Sequence, residues 1–211
     1  MTDVRFDPLI FGNGAPVDTA GWTRRREEMR HAIIPHEYGG MPPMPTTTTA
    51  VLRCASSIRD MPADFHTYDV RCEIGGGEIS FTLNLWIPQG QGDKPVVLDG
   101  DGCWRYFNDD IIRRVVARGN IAASFDRTAL AADNKDNYRD TGLYRLVPDA
   151  AFGALSAWAW GYHRCVDVLA TIDGVCAEQI AITGHSRGGK AVLLAGATDE
   201  RIALVNLNDS G

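Results

Sequence analysis

The feature that most constrains the fold is a ten-residue run, Ala181-Ile182-Thr183-Gly184-His185-Ser186-Arg187-Gly188-Gly189-Lys190. Within it, Gly184-His185-Ser186-Arg187-Gly188 fits G-x-S-x-G. Residues 179–183 read as a short apolar strand, and residues 187–197 as an apolar helix. A serine between two such elements sits on a sharp, strained turn. Side chains two residues to either side would collide there, so glycines fill those places. The turn lifts the hydroxyl above the sheet and aims the N–H of the next residue, Arg187, at a developing oxyanion. The helix N-terminus adds a field that favours negative charge. The run therefore predicts Ser186 as a nucleophile; the bland alternative is a glycine-rich turn with an idle serine.

A rival reading uses the same residues. Gly184-x-x-x-x-Gly189-Lys190 is most of a phosphate loop. That loop continues with Ser or Thr, whose hydroxyl reaches Mg²⁺, and position 191 is alanine. The missing hydroxyl weighs against nucleotide chemistry.

The rest of the chain supplies the setting. From residue 94 on, short apolar strands (95–98, 121–125, 179–183, 202–207) alternate with helices (108–118, 149–172, 187–197). Alternation of this kind implies a mostly parallel sheet with helices on both faces. In the longest helix Phe152, Leu155, Ala159, Tyr162, Val166 and Leu169 form one stripe at helical spacing. Residues 126–148 read as a long polar loop. Upstream, 22–34 reads as a helix capped by Asp18 or Thr19 and stopped by Pro35. Strands at 46–57, 65–74 and 78–87 follow, the last two forming a hairpin about Gly75-Gly76-Gly77. The domain reading is a leader and helix over 1–45 and one α/β unit over 46–211.

Composition excludes several classes. The chain has 211 residues and a net charge of −6, which does not suit a protein that neutralises phosphate backbones. No apolar run approaches the roughly 20 residues of a membrane span. The pattern of a signal peptide is not visible at the N-terminus. The five cysteines, Cys54, Cys72, Cys103, Cys165 and Cys176, lack metal-ligand spacing and read as buried free thiols. Asp99-Gly100-Asp101-Gly102 fails the calcium-loop pattern, with cysteine at 103. It follows the 95–98 strand, where hydrolases place a second oxyanion N–H, so Gly100 and Gly102 are candidates for that role.

The five histidines are His31, His36, His66, His163 and His185, and none follows Ser186. In hydrolases of this type the chain order is serine, acid, histidine. His185 adjoins the nucleophile, but neighbouring side chains on a tight turn point apart, so it is expected to pack beside the turn or shape the pocket. His163 reads as a packing or surface residue. The expectation is that the chain is the N-terminal portion of a larger hydrolase, whose last strands and catalytic histidine come later, leaving the 202–207 strand with an open edge.

At these residues the sequence resembles the glucuronoyl esterases, carbohydrate esterases of the α/β-hydrolase fold. The resemblance is carried by 184–190, by Ala195-Gly196-Ala197, by Asp199-Glu200-Arg201-Ile202-Ala203-Leu204 and by Asn208-Asp209-Ser210-Gly211. Trp158-Ala159-Trp160-Gly161, Phe125-Asp126-Arg127-Thr128 and Trp22-Thr23-Arg24-Arg25-Arg26-Glu27 with Tyr38-Gly39 extend it over most of the chain. Members often carry cysteine where His185 stands, which makes this a variant turn. The resemblance implies that Ser186 is the nucleophile and that Arg187 stabilises the oxyanion. It further implies that Lys190 contacts sugar hydroxyls and that Asp209 stands at the triad acid, where many members have glutamate. The other reading of Asp209 is an ordinary turn or cap residue. The activity implied is hydrolysis of a 4-O-methylglucuronate ester, in the family joined to glucuronoxylan, through an acyl-enzyme and without metal or organic cofactor. Relatives are often secreted or periplasmic. An acetyl-sugar or broad carboxylesterase, and an inactive hydrolase-fold fragment or binding protein, are the competing functions.

Overall fold

The computed structural model describes residues 7–210. Residues 1–6 and Gly211, on which the N-terminal pattern and the end of the resemblance fall, lie outside the described residues. In chain order come α1 (Trp22–Tyr38), β1 (Thr47–Ser57), β2 (Ala63–Ile74), β3 (Gly77–Pro88), β4 (Lys94–Asp99), α2 (Asp109–Val116) and β5 (Ile121–Phe125). They are followed by α3 (Ala154–Leu169), β6 (Val175–His185), α4 (Arg187–Thr198) and β7 (Ile202–Asn208).

All seven strands form one sheet in the order β1-β2-β3-β5-β4-β6-β7. β1, β2 and β3 meander antiparallel, and β3 runs antiparallel to β5. β5, β4, β6 and β7 are mutually parallel, so their C-terminal ends share one rim. The β2–β3 hairpin closes through Gly75 and Gly76 at φ of 59° and 85°, the double positive that a two-residue turn of matching twist needs.

The central strands are buried on both faces, as short apolar runs in a parallel sheet require. Val96, Leu98, Ile121, Ala123, Phe125, Ile180 and Ile182 face the main core, beneath α3 and α4. On the other face Ala122 and Val97 meet Phe107, Ile112 and Val116 of the α2 region. Helices thus cover both faces, and the fold is the α/β-hydrolase type expected. Asn108 caps α2, its side chain accepting from the Ile111 N–H at 3.1 Å.

Three boundaries differ from the sequence reading. α1 does not stop at Pro35 but continues to Tyr38, where Gly39 turns left-handed at φ 69° and the Gly40 N–H returns to the Ile34 carbonyl. That cap and the Tyr38 carbonyl, which accepts from Gly153 N–H at 2.8 Å, outweigh the N–H that proline lacks. α3 begins at Ala154, not 149, because the same contact holds the preceding residues against α1. It is also buried almost all round rather than along one stripe. Its outer side is covered by chain: Trp160 donates to the Pro43 carbonyl at 3.0 Å and Trp158 to that of Ala131 at 2.7 Å. The 126–148 segment is no open loop. It folds into three short 3₁₀ turns and buries Leu130, Ala131, Leu143 and Tyr144.

The cysteines are free, as expected, but only Cys72 and Cys165 are fully buried, and Cys54 is exposed.

Candidate active site

β6 ends at His185 and α4 starts at Arg187, so one residue must reverse the chain. Ser186 does so at φ 53°, ψ −114°, a conformation that costs about 1–3 kcal/mol for a residue with a side chain. Neighbours hold it there: its N–H donates to the Asn208 carbonyl of β7 at 2.9 Å, and its carbonyl accepts from Lys190 N–H at 3.1 Å. The flanking glycines are sterically required. A Cβ at Gly184 would stand 2.6 Å from the Gly188 carbonyl, and one at Gly188 would run into the Asp101 carboxylate. Gly189 leaves room for the Ser210 hydroxyl.

Beneath the turn lies a line of alternating charges. Asp101, at the end of β4, accepts the His185 backbone N–H at 2.6 Å and Arg127 Nε at 2.7 Å. Arg127 is 1% exposed, stacks over the Trp158 ring at 3.9 Å, and donates to Asp133 at 3.0 Å. Asp133 in turn takes Arg187 Nη1 at 2.5 Å. Burial opposes the charge of Arg127, but its bonds to the two carboxylates outweigh that and hold it above the usual arginine range. Asp99, fully buried, behaves differently. Burial, reinforced by the neighbouring Asp101, pushes its carboxyl up to about 8, so it is protonated at neutral pH.

Two clefts open on either side of Arg187. One, of about 240 Å³, is bordered by Trp104, Tyr106, His185 and Ser186. The other, of about 400 Å³, has Tyr38, Tyr138 and Trp158 among its aromatic walls and Lys190 at its edge. Trp104 lines the smaller cleft, and Ala132 to Lys135 with Tyr138, from the 126–148 segment, line the larger one.

The structure gathers Ser186, Arg187 and Lys190 on the parallel rim. Asp209 joins them there, one residue beyond Asn208, which pairs with His185 across β6 and β7. Its side chain has no hydrogen bond among the described residues. His185 packs beside the turn, its ring stacked on Tyr106 at 4.9 Å and its Nδ1 buried without a partner. His163 is a packing residue, its Nε2 3.1 Å from the Ala195 carbonyl and from the Thr198 hydroxyl. Gly100 is not brought to the site as a donor. Its N–H donates to Tyr162 Oη at 2.8 Å, and that hydroxyl donates onward to the Thr183 carbonyl at 2.8 Å. Gly102 packs against the Phe125 carbonyl, where a Cβ would stand 2.8 Å away. Asp99 and Asp101 entered the sequence reading only through a failed calcium-loop pattern, and Asp133 only as part of a polar loop. Arg127 lay within the family resemblance but without a role. Among the described residues no group of three or more His, Cys, Asp or Glu could hold a metal ion.

This geometry has counterparts in known proteins. The sequence model described as glucuronyl esterase, fungi, matches residues 70–211. The 4-O-methyl-glucuronoyl methylesterase of Podospora anserina is 31% identical over 97% of this chain and 40% of its own length. Among solved structures, a glucuronoyl esterase from Teredinibacter turnerae superposes with TM-score 0.82 at 25% identity, over 97% of this chain and 56% of that one. A glucuronoyl esterase mutant from Sporotrichum thermophile, solved with methyl 4-O-methyl-beta-D-glucopyranuronate, gives 0.78 at 26%, over 97% and 52%. The chain thus spans about half the length of the proteins it matches. Since the family match takes in every strand from the middle of β2 to β7, together with the serine turn and the charged line beneath it, the chain belongs to the glucuronyl esterase family.

Proposed function

We propose that this protein is a serine esterase that cleaves the carboxylic ester of a 4-O-methylglucuronate. The observation that carries the reading is Ser186, held in a strained conformation on the wall of the smaller cleft, beside an anchored arginine that borders both clefts. Ser186 Oγ attacks the ester carbonyl and a general base takes its proton. No histidine ring is hydrogen-bonded to Ser186 among the described residues. The tetrahedral oxyanion is met by the Arg187 N–H, which opens α4, and by the Arg187 guanidinium. Collapse expels the alcohol, and water releases the glucuronate from the acyl-enzyme. Lys190, on the same helix face side as the larger cleft, binds the sugar hydroxyls, and Asp209 supplies the triad acid. The uronate substrate class is supported by the relatives named 4-O-methyl-glucuronoyl methylesterase and by the sugar ester bound to the Sporotrichum enzyme.

The test compares hydrolysis of methyl 4-O-methylglucuronate with that of an acetylated sugar. Uronate ester cleavage should dominate, and Ser186→Ala should lower it by about 10⁴-fold or more while abolishing labelling by a fluorophosphonate. Faster deacetylation would make the protein an acetyl-sugar esterase. An unlabelled Ser186 with no cleavage of either ester would favour an inactive hydrolase-fold fragment or a binding protein.

A further inference from the structure

We infer that Asp133 and Arg127 are positioning residues that fix the Arg187 guanidinium relative to Ser186 before substrate binds. The contacts form a closed ring. From the His185 N–H the path runs to Asp101, to Arg127, to Asp133 and to Arg187 Nη1. The backbone from His185 through Ser186 to Arg187 completes it, so the serine sits inside its own brace.

An isolated Asp133–Arg187 pair would carry little weight, since the Arg187 side chain is 56% exposed and water screens such surface pairs. Asp133 is not such a partner. Its side chain is 8% exposed, and its second oxygen is taken by Arg127, which two carboxylates and the Trp158 face hold in place. A long arginine side chain loses much rotamer freedom when it is fixed. The ring meets that cost in the free protein rather than during the reaction, which is how preorganised oxyanion donors act. A guanidinium has five N–H donors, and Asp133 engages the Nη1 end, leaving others for the oxyanion. The line alternates negative, positive, negative, positive from Asp101 to Arg187, so the brace adds no net charge to the site.

The kinetic part of this inference rests on the esterase reading, and the spectroscopic part does not. With arginine ¹⁵N-labelled protein, the Arg187 Nη1–Hη signal should be shifted and slowly exchanging in the wild type. It should collapse toward the free-arginine position in Asp133→Asn, with the far-ultraviolet circular dichroism unchanged. In steady-state hydrolysis of methyl 4-O-methylglucuronate, Asp133→Asn should lower kcat by about 10-fold to 100-fold with KM within about twofold, a fraction of the loss seen when an oxyanion donor is deleted. Asp133→Glu should recover part of kcat. In an Arg187→Gln background Asp133→Asn should have almost no further effect, because residues acting through one another are not additive. An Arg187 signal that ignores Asp133→Asn overturns the inference, as does full additivity of the two variants. If the wild type cleaves no uronate ester yet the signal responds, the brace stands and the esterase reading falls.

Discussion

Two lines of alternating charge run beside α3, and only one of them reaches the Ser186 turn. The upper line is Asp101–Arg127–Asp133–Arg187, at the rim formed by the strand ends. The lower line is Arg164–Asp167–Arg201–Asp199, which ties α3 to the turn between α4 and β7. Their parts match closely. Arg127 and Arg164 are each 1% exposed, and each lies over a tryptophan of α3, Trp158 at 3.9 Å and Trp160 at 4.9 Å. Each line carries one half-exposed arginine, Arg187 at the rim and Arg201 at the opposite end of the sheet. Chemistry of the side chains alone does not mark a functional network; position at the C-terminal ends of the parallel strands does.

The lines differ in how well each buried arginine's partners are solvated. Asp101 and Asp133 are almost fully enclosed, whereas the Asp167 side chain is 24% exposed. Arg127→Met should therefore leave Asp101 with a buried, uncompensated charge and cost about 3–5 kcal/mol, the range for breaking one partner out of a buried pair. For a chain of this size that lowers Tm by about 10 °C. Arg164→Met should cost less than half as much, because water reaches Asp167 and Arg201 still pairs with it at 2.8 Å. Thermal melts of both variants decide the order; equal losses would erase the distinction.

The upper region also holds a proton that the lower one lacks. Asp99 keeps its proton in the fold to about pH 8 and would lose it near 3.8 when unfolded. Between those values the folded state binds more protons, so stability falls as pH rises from about 4 to 8 and is flat above. Asp99→Asn mimics the protonated form and should remove that slope. Its Tm should exceed the wild type by several degrees at pH 8 and match it at pH 4. An unchanged slope in the variant would mean that another group carries the pH dependence.

The serine turn was legible because its constraint is local: sterics require glycines around a strained residue, and a strand and helix must flank it. The parallel core was legible for a similar reason, since Val96 to Leu98 and Ile121 to Phe125 are apolar on both faces. The brace was not. Asp101 stands in a failed calcium-loop pattern, Asp133 in a long polar loop, and Arg127 in a stretch that the resemblance covers without giving it a role. Their meeting depends on how residues 126–148 fold back over Trp158. Long-range contact also explains the two misplaced helix ends. Pro35 is a stop signal by itself, and only the Gly39 cap and the bond between Gly153 and Tyr38 let α1 pass it while delaying α3. Gly100 marks the reverse case, a position right for an oxyanion donor by strand order, whose N–H is taken by Tyr162 from a distant helix.

The finest separation of the two lines comes from their exposed arginines. Arg187 and Arg201 have side chains 56% and 46% exposed, so neither Arg187→Gln nor Arg201→Gln should cost more than about 1 kcal/mol. Their melts should be nearly alike. Their kinetics should not be: Arg187→Gln should lower kcat on the uronate ester by about 100-fold, as loss of an oxyanion donor does, and Arg201→Gln should leave it unchanged. Arg201 bonds Asp199 and Asp167 at the start of β7, whereas Ser186 meets Asn208 at the end of that strand, so Arg201 reaches the serine turn through no shared partner. A kcat loss in Arg201→Gln would show that the lower line communicates with the rim through α3, and the contrast between a functional and a structural network would have to be abandoned.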